Sequence, residues 1–504
     1  MRVDLSWVRR ALFGLARVVA LFIIFSAATA PLVILSVRDH KGLSPVDELV
    51  YVDYFHKIAR GEHVVRDGDY LDTITLRDKA CRGIPPYIRP NKVACAEPLH
   101  GPSTRNTASI DPPTYYWATA VVANEVRHTG LNRDFIDSIR LVGIVWAGAG
   151  LTTVWLLCRA LGATRIASLL MTGACWGTNG LTSQWVHVTP HAADLFVGGF
   201  VSLTVVHWLK TGRGLWLLAV GGCTASLFKL SDINVALLGG LCFLLLALGR
   251  RHASAVSTTH GDDRAEAGGG SAPDLAPAGP AVAAPLADGS PRNESATQAL
   301  STSPVATATV PIESESTTAP RSVAPPAIPR TQSRGRQVAA AATMIGALAI
   351  TSLLWVSYRH HVGYASSSAL STFNASSFDV DWVIGSTGRF FSPLGSAGPF
   401  FLVWAFVGYS LLHNALSRRR SDELRTDELA TATIAALALG PVVLVVAIYL
   451  VTKQYVPTAP RYGISLFPLA VALSARELRG KALLAIGTLL VAATVYLTFL
   501  GSIA

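Results

Sequence analysis

Residues 18–37, with the sequence VVALFIIFSAATAPLVILSV, decide the fold of this chain. The stretch carries no charge, and about 20 residues of helix cross the ~30 Å hydrocarbon core of a bilayer. Arginines at positions 9, 10 and 17 precede it and predict a cytoplasmic N terminus. We therefore expect an uncleaved membrane anchor here.

The composition of the whole chain agrees with this reading. Hydrophobic residues make up 51% of the 504 residues and charged residues only 15%, which is more apolar than a soluble protein needs. The net charge of +10 raises the question of nucleic acid binding. However, Lys and Arg fall in short clusters between apolar runs, not in one basic patch with aromatic residues. We predict the lipid bilayer, and no nucleic acid, as a partner.

Ten further apolar runs follow the first one, and the basic clusters between them fall on one side if the chain alternates across the membrane. The runs cover residues 136–158, 166–184, 193–209, 214–230, 232–249, 338–358, 397–416, 430–452, 462–475 and 481–501. We predict an all-α polytopic protein with about 11 transmembrane helices. It is expected in the plasma membrane, with the N terminus inside and the C terminus outside.

Two segments interrupt the apolar pattern. Residues 252–336 are rich in Ala, Pro, Ser and Thr without periodicity, which predicts a disordered linker. The flanking arginines favour the cytoplasm over the alternative of a glycosylated external stalk. The linker would divide an N-terminal module of six spans, residues 1–251, from a C-terminal module of five spans, residues 337–504.

The second interruption is the loop 38–135, predicted to be extracytoplasmic and to contain juxtamembrane helices. It includes Cys81 and Cys95, two of the six cysteines. On the oxidising side of a membrane a disulfide between them is favoured, worth roughly 3 kcal/mol in the chain-entropy model. Two reduced thiols, or part of a metal site, remain the alternatives.

An acidic pair, Asp47 and Glu48, lies near the start of this loop. Ser44 and Pro45 precede it in the manner of a helix start, with Ser44 as N-cap and the acidic residues facing free backbone N–H groups. On that reading the pair caps a helix and does nothing more. A carboxylate at the mouth of a helical bundle can also meet both a lipid headgroup and an acceptor from water, which favours a catalytic role.

Four more motifs follow in order: DPPTYYW at 111–117, TPHAAD at 189–194, FKL at 228–230 and PRY at 460–462. Together with the acidic pair after the first span, they resemble the GT-C glycosyltransferases. These membrane enzymes use polyprenyl-phosphate sugars and include protein mannosyltransferases and aminoarabinose transferases. The resemblance implies a GT-C type fold and an active site on the extracytoplasmic side.

The resemblance also implies roles for individual residues. Asp47 and Glu48 would be catalytic, with Asp47 as general base. Many members carry His or Lys before the Pro-Pro segment, where this chain has Asp111, and often Arg at the position of Val50. The donor phosphate would then be held by Lys229, Arg461 and Tyr462. Supporting residues would be Tyr51, Asp111, Tyr115, His191 and Asp194.

Simpler roles exist for several of these residues. Lys229 and Asp232, three apart, can pair on one helix face, and Arg461 with Tyr462 can anchor at the membrane interface. His187, His191 and Asp194 have the chemistry to hold a divalent cation, or they line a polar cavity. No metal or other cofactor is otherwise predicted.

The function expected from the resemblance is that of an inverting glycosyltransferase. It would move a sugar from a polyprenyl-phosphate donor to a cell-envelope acceptor, which is a glycan, a lipid or a protein. One alternative is a transporter or flippase of an envelope lipid, because intramembrane charges also mark transport pathways. Another is a noncatalytic assembly partner with the same fold.

Overall fold

The structure is a computed structural model, and it describes the chain in eight stretches. These are residues 6–45, 47–66, 69–96, 105–259, 333–362, 399–417, 425–452 and 460–503. Within them every regular element is a helix, and the only strand-like pairings are two isolated bridges, Tyr70 with Arg105 and Ile84 with Ile88. The prediction of an all-α protein is therefore confirmed.

Seventeen α-helices are described, and we number them in chain order. They are α1 (Ser6–Asp39), α2 (Glu48–Ala59), α3 (Thr73–Arg82), α4 (Lys92–Ala96), α5 (Thr114–His128), α6 (Phe135–Leu141), α7 (Gly143–Ala160), α8 (Arg165–Trp176), α9 (Asn179–Val186), α10 (Asp194–Thr211), α11 (Leu215–Phe228), α12 (Ile233–Thr259), α13 (Arg334–His361), α14 (Pro399–Leu416), α15 (Thr426–Thr452), α16 (Phe467–Glu477) and α17 (Lys481–Ile503). Four 3-10 turns accompany them: Thr107–Ile110, Pro190–Ala193, Leu230–Asp232 and Pro460–Leu466.

Six helical segments of the described chain are long and apolar enough to cross a membrane, which supports a membrane-embedded protein. They are Ala11–Asp39, Phe135–Ala160, Pro190–Thr211, Leu230–Leu248, Arg334–His361 and Thr426–Val446. Helices α11, α14 and α17 are apolar over shorter lengths. The count of 11 spans and the orientation of the protein stay predictions.

Three predicted runs are not single helices. The run 136–158 is interrupted at Val142, between α6 and α7. The run 166–184 breaks between α8 and α9, where α17 approaches so closely that a Cβ on Gly177 would lie 2.9 Å from the Thr494 side chain. The run 462–475 divides into a 3-10 turn and the eleven-residue α16. Helix α16 is too short to cross a bilayer alone, and its residues 467–475 are buried.

The predicted linker 252–336 lies mostly outside the described residues, since 260–332 are not described. At its two ends the structure differs from the prediction: α12 continues to Thr259 and α13 already begins at Arg334. Arg and Ala at these ends are good helix formers, so a helix can extend past the apolar run. The division into two modules stays a prediction.

The loop between α1 and α6 is held together by buried polar contacts. Asp53 is fully buried, and its carboxylate accepts hydrogen bonds from the Asp72 backbone N–H (2.7 Å), the Thr75 hydroxyl (2.9 Å) and the Asn106 amide (2.7 Å). A disulfide joins Cys81 to Cys95. These contacts fix α2, α3 and α4 with respect to one another, although little regular structure connects them.

Candidate functional site

Three of the 3-10 turns lead directly into helices, and they define the site. Pro190–Ala193 precedes α10, Leu230–Asp232 precedes α12, and Pro460–Leu466 precedes α16. The last turn contacts both others and packs on α10. That approach requires a glycine, because a Cβ on Gly198 of α10 would lie 2.0 Å from the carbonyl oxygen of Ser465.

Asp47 lies at the rim of this site. Its backbone is left-handed, with φ of 61°, a conformation that Asp tolerates better than most residues. The side chain is 47% exposed and forms an ion pair with Arg461. Helix α2 begins at Glu48, so the predicted cap at Ser44 is wrong: Asp47 occupies the N-cap position and makes no side-chain capping bond.

Glu48 lies in the interior instead. Its carboxylate receives two hydrogen bonds from Arg140, both of 2.8 Å, and one each from the backbone N–H groups of Ser44 (2.5 Å) and Val188 (2.8 Å). Arg140 also donates to the carbonyls of His40 and Gly42. We call Glu48 and Arg140 the buried clamp, because the pair joins α2, α6 and the segment before the turn Pro190–Ala193.

The charge of the buried clamp is internally balanced. Burial alone would raise the pKa of Glu48, but the charge and hydrogen bonds of Arg140 outweigh it and the pKa is lowered. The prediction of Ser44 as the N-cap fails because the Ser44 backbone N–H donates to the Glu48 side chain, so Ser44 stays outside the helix. The clamp leaves Glu48 without access to water and with both carboxylate oxygens hydrogen-bonded; its catalytic role stays a prediction.

Lys229 is the central cation of the site. It is 5% exposed, and its Nζ lies 3.5 Å from Asp111 Oδ2 and 3.5 Å from the Tyr51 hydroxyl. Burial alone would lower the pKa of Lys229, but Asp111 and the neighbouring tyrosines raise it. The predicted pairing with Asp232 is not observed. Lys229 lies in extended backbone after α11, so helical spacing does not apply to it.

Arg461 and Tyr462 complete the cationic side. The Arg461 guanidinium lies 5.7 Å from the Tyr462 ring centre, and Lys229 Nζ lies 6.0 Å from the same ring. Burial alone would lower the pKa of Arg461, but Tyr51, Tyr462 and Asp47 raise it. Beside its pair with Asp47, Arg461 keeps a buried Nε–H that has no hydrogen-bond partner among the described residues.

The deeper part of the site is acidic. His191 Nδ1 lies 2.6 Å from Asp194 Oδ2, and the His191 ring packs 5.3 Å from that of Tyr462. Within the described chain, His191 Nε2 and Asp194 Oδ1 have no hydrogen-bond partner. Asp232 is buried, and the Ser465 hydroxyl lies beside it without hydrogen-bond geometry. No cationic side chain among the described residues pairs with the Asp232 carboxylate.

A tyrosine cluster supports the site from the side of α5. Tyr116 donates a hydrogen bond of 3.3 Å to Asp111 and stacks on Tyr54, with ring centres 3.9 Å apart. Tyr115, the predicted supporting residue, is buried beside Trp146. Burial raises the pKa of Tyr115 above its usual range. Of the two neighbouring tyrosines, Tyr116 makes the hydrogen bond to Asp111.

The three residues considered for a cation do not come together. His187 Nδ1 lies 3.7 Å from Glu48, whereas His191 and Asp194 pair with each other. Among the described residues no group of three or more His, Cys, Asp or Glu side chains is arranged to hold a metal ion. Burial lowers the pKa of His187, so this imidazole is neutral next to the clamp.

Sequence reasoning missed Arg140 and Tyr116. Arg140 had a signal, since it and Asp137 are charges inside the apolar run 136–158, and charges within a span usually have a specific role. Tyr116 is in the same motif as Tyr115, and the sequence does not tell which of the two contacts Asp111. That depends on how α5 is rotated about its axis. The site offers two cations that both lie within 6.0 Å of the Tyr462 ring centre, one partly exposed carboxylate, and a buried acidic floor.

Such a site can bind an anion and take up a proton beside it. Comparison with known proteins adds no further information, since no family model, no curated protein and no solved structure matches this chain.

Proposed function

We propose that the protein is an inverting glycosyltransferase of GT-C type that uses a polyprenyl-phosphate sugar. It would act at the extracytoplasmic face of the plasma membrane on a cell-envelope acceptor, a glycan, lipid or protein. The observation that carries the proposal is the contact among residues 47–51, 111–116, 191–194, 229–232 and 461–462. These segments are far apart in sequence, and they are the ones that the order of the motifs predicts to lie together.

The phosphate of the donor is proposed to bind between Lys229 and Arg461. Both cations face Tyr51 and Tyr462, and their raised pKa values keep them charged at every physiological pH. The free Nε–H of Arg461 offers a hydrogen bond that no described residue uses. Burial raises the pKa of Tyr51, so its hydroxyl stays neutral and can donate to a phosphate oxygen.

Asp47 is proposed as the general base. The acceptor hydroxyl would lose its proton to the Asp47 carboxylate while its oxygen forms a bond to the anomeric carbon. On the opposite side the bond between that carbon and the phosphate oxygen breaks, and polyprenyl phosphate leaves with the electron pair and one more negative charge. Lys229 and Arg461 stabilise this added charge, the role in which positioned cations contribute most.

The ion pair between Asp47 and Arg461 adds an order to these events. A phosphate arriving at Arg461 competes with the Asp47 carboxylate for the same guanidinium. Donor binding would therefore release Asp47 and leave it free to accept a proton. We propose that the donor binds before the acceptor is activated, which protects the donor from attack in an incomplete complex.

The test is transfer of labelled sugar from a panel of polyprenyl-phosphate donors, in membranes containing wild-type protein or Asp47→Asn. Loss of a general base reduces transfer by at least ~100-fold. Asn suits the left-handed backbone at this position, so the variant should fold. Glu62→Gln is the matched control, because Glu62 is an exposed acid of the same loop whose one ion pair among the described residues is with Arg60.

Each outcome decides something. Transfer by the wild type and by Glu62→Gln, with loss in Asp47→Asn, supports the proposal. Equal transfer by Asp47→Asn sinks the role of Asp47. Absence of transfer from every donor would contradict the proposed glycosyltransferase function and favour the noncatalytic assembly partner or the transporter.

The transporter keeps one specific observation in its favour. His191, Asp194 and Asp232 lie in the first turns of two candidate spans and carry polar atoms without hydrogen-bond partners in the described chain. Ionisable groups at membrane depth are common along transport pathways. In proteoliposomes, movement of a labelled polyprenyl-phosphate lipid between leaflets, abolished by Asp232→Asn and unaffected by Asp47→Asn, would favour this second function.

A further inference from the structure

The disulfide between Cys81 and Cys95 closes an exposed hairpin with unusual apolar content. We call residues 81–95 the disulfide hairpin. All residues from 85 to 93 are exposed, and among them Tyr87 is 78% exposed, Val93 68% and Ile88 37%. Single exposed apolar residues need no explanation, but three of them at one tip mark a contact surface.

The base of the disulfide hairpin is fastened to the end of the first span. Leu43 N–H donates to the Gly83 carbonyl at 3.0 Å, and Arg82 donates to the Lys41 carbonyl at 3.1 Å. At Gly42 the chain lies so close to Pro85 that an added Cβ would be 2.6 Å away. Because the candidate span ends at Asp39, the tip begins within a few residues of the bilayer surface.

The charges at the tip have one sign. Arg89 and Lys92 are exposed and form no ion pair with any carboxylate in the described residues, and Arg77 on the adjoining helix is exposed as well. The acid of α3, Asp78, is bonded to His56 at 2.7 Å. Exposed apolar side chains flanked by unpaired bases match the interface of a bilayer that contains anionic lipid.

We propose that the disulfide hairpin is a membrane-interface anchor, with Tyr87, Ile88 and Val93 among the headgroups and Arg89 and Lys92 bound to anionic lipid phosphates. The leaflet is the one on the loop's own side, so the inference holds for either orientation of the protein. It is independent of the proposed enzymatic function. The anchor ties the loop that carries Asp47 to the lipid surface.

Depth-dependent quenching in nanodiscs tests the anchor on the full-length protein. An environment-sensitive fluorescent amino acid replaces Tyr87, or, as matched control, Tyr70 of the same loop, which is half exposed and lies against Arg105. If the tip inserts, aqueous iodide quenches the probe at 87 about threefold less than at 70. Lipids with a quencher near the headgroup quench it more.

Charge is tested by comparing phosphatidylcholine discs with discs containing phosphatidylglycerol. Each base near an anionic surface favours binding about fivefold, so anionic lipid should protect the probe at 87 further. Arg89→Gln with Lys92→Gln should remove that gain, and Arg89→Lys with Lys92→Arg should retain it. Equal iodide access at 87 and 70 in both lipids overturns the anchor. Protection by soluble polyglutamate in neutral discs also overturns it, and would identify a site for a soluble polyanion.

Discussion

Asp47 and Glu48 are neighbours in sequence, yet they belong to opposite kinds of charged site. Glu48 is fully buried, with a cation and four hydrogen-bond donors around its carboxylate. Asp47 is half exposed and holds a guanidinium that other groups can reach. Two consecutive residues therefore form very different ion pairs: Glu48 pairs with Arg140 in the interior, and Asp47 pairs with Arg461 at the accessible rim of the site.

The contrast extends to the surroundings of each carboxylate. In the buried clamp every oxygen of Glu48 is used. Around Asp47, by contrast, Arg461 Nε, His191 Nε2 and Asp194 Oδ1 have no partner in the described residues. Buried polar groups without partners destabilise a fold, so their accumulation in one place favours a ligand site. Completeness of hydrogen bonding thus distinguishes the buried acid, Glu48, from the acid proposed to be catalytic, Asp47.

The largest effect on stability is expected in the buried clamp, where the charges are fully paired. Glu48→Gln removes the carboxylate that is hydrogen-bonded to the buried Arg140, whose other acidic neighbour, Asp137, is 4.0 Å away, and should lower the free energy of unfolding by about 3–5 kcal/mol. Thermal unfolding of the purified protein in detergent measures this. Glu62→Gln should change stability by less than about 1 kcal/mol, because its ion pair is exposed. A mild effect of Glu48→Gln would mean that the two acids are not different in kind.

The next largest effect is expected for Lys229→Met in the candidate functional site. Removal of a cation that stabilises developing charge should reduce transfer by about 10²–10³-fold, and it leaves Asp111 buried without its partner.

The double variant Lys229→Met with Asp111→Asn sharpens the result. With both charges gone, stability should return toward the wild-type value while transfer stays low. Recovery of transfer together with stability would show that Lys229 serves the fold alone, and the comparison with the clamp would then fail.

Acid titration gives a smaller effect of known sign. Because the pKa of Glu48 is lowered in the folded protein, its contribution to stability is fully present above the usual value of 4.5 and is lost as the pH falls through the lowered pKa. Unfolding temperatures measured from pH 7 downward should show this acid-sensitive component in the wild type and in Glu62→Gln. In Glu48→Gln the component should be missing, and its persistence there would assign it to another group.

The smallest effect concerns binding at Arg461. Asp47→Asn removes the competitor of the donor phosphate, and an exposed ion pair is worth at most about 1 kcal/mol, so donor affinity should rise up to ~5-fold. Equilibrium binding of a non-transferable polyprenyl phosphate measures it. Weaker binding by the variant would contradict the proposed order of events.

Much of the architecture was predictable from composition and periodicity, because burial in lipid leaves a strong signal in every span. The breaks were harder. The run 166–184 breaks at Gly177, next to Thr178-Asn179-Gly180, which is a turn signal in the sequence, and α17 also lies against Gly177. That approach is a tertiary fact, and no property of residues 166–184 alone contains it.

The site was predictable in its members but not in its pairings. The order of the motifs predicts Asp47, Lys229 and Arg461 as members of one site, and the structure brings them together. The partner of Lys229 is Asp111, more than a hundred residues away, and not Asp232 three residues on, because the chain is extended at Lys229. Long-range pairs of this kind depend on how helices pack, and spacing along one helix cannot predict them.

The turns that begin α10 and α12 also fix the depth of the cluster. The two candidate spans that start there have 22 and 19 residues, or about 33 and 29 Å of helix, close to the hydrocarbon thickness. With both segments crossing the bilayer as predicted, Lys229 and Arg461 are expected at the level of the headgroups. A molecule held in the bilayer by its own tail reaches that level by lateral diffusion, so its encounter rate follows its number per unit area of membrane and not its concentration in water.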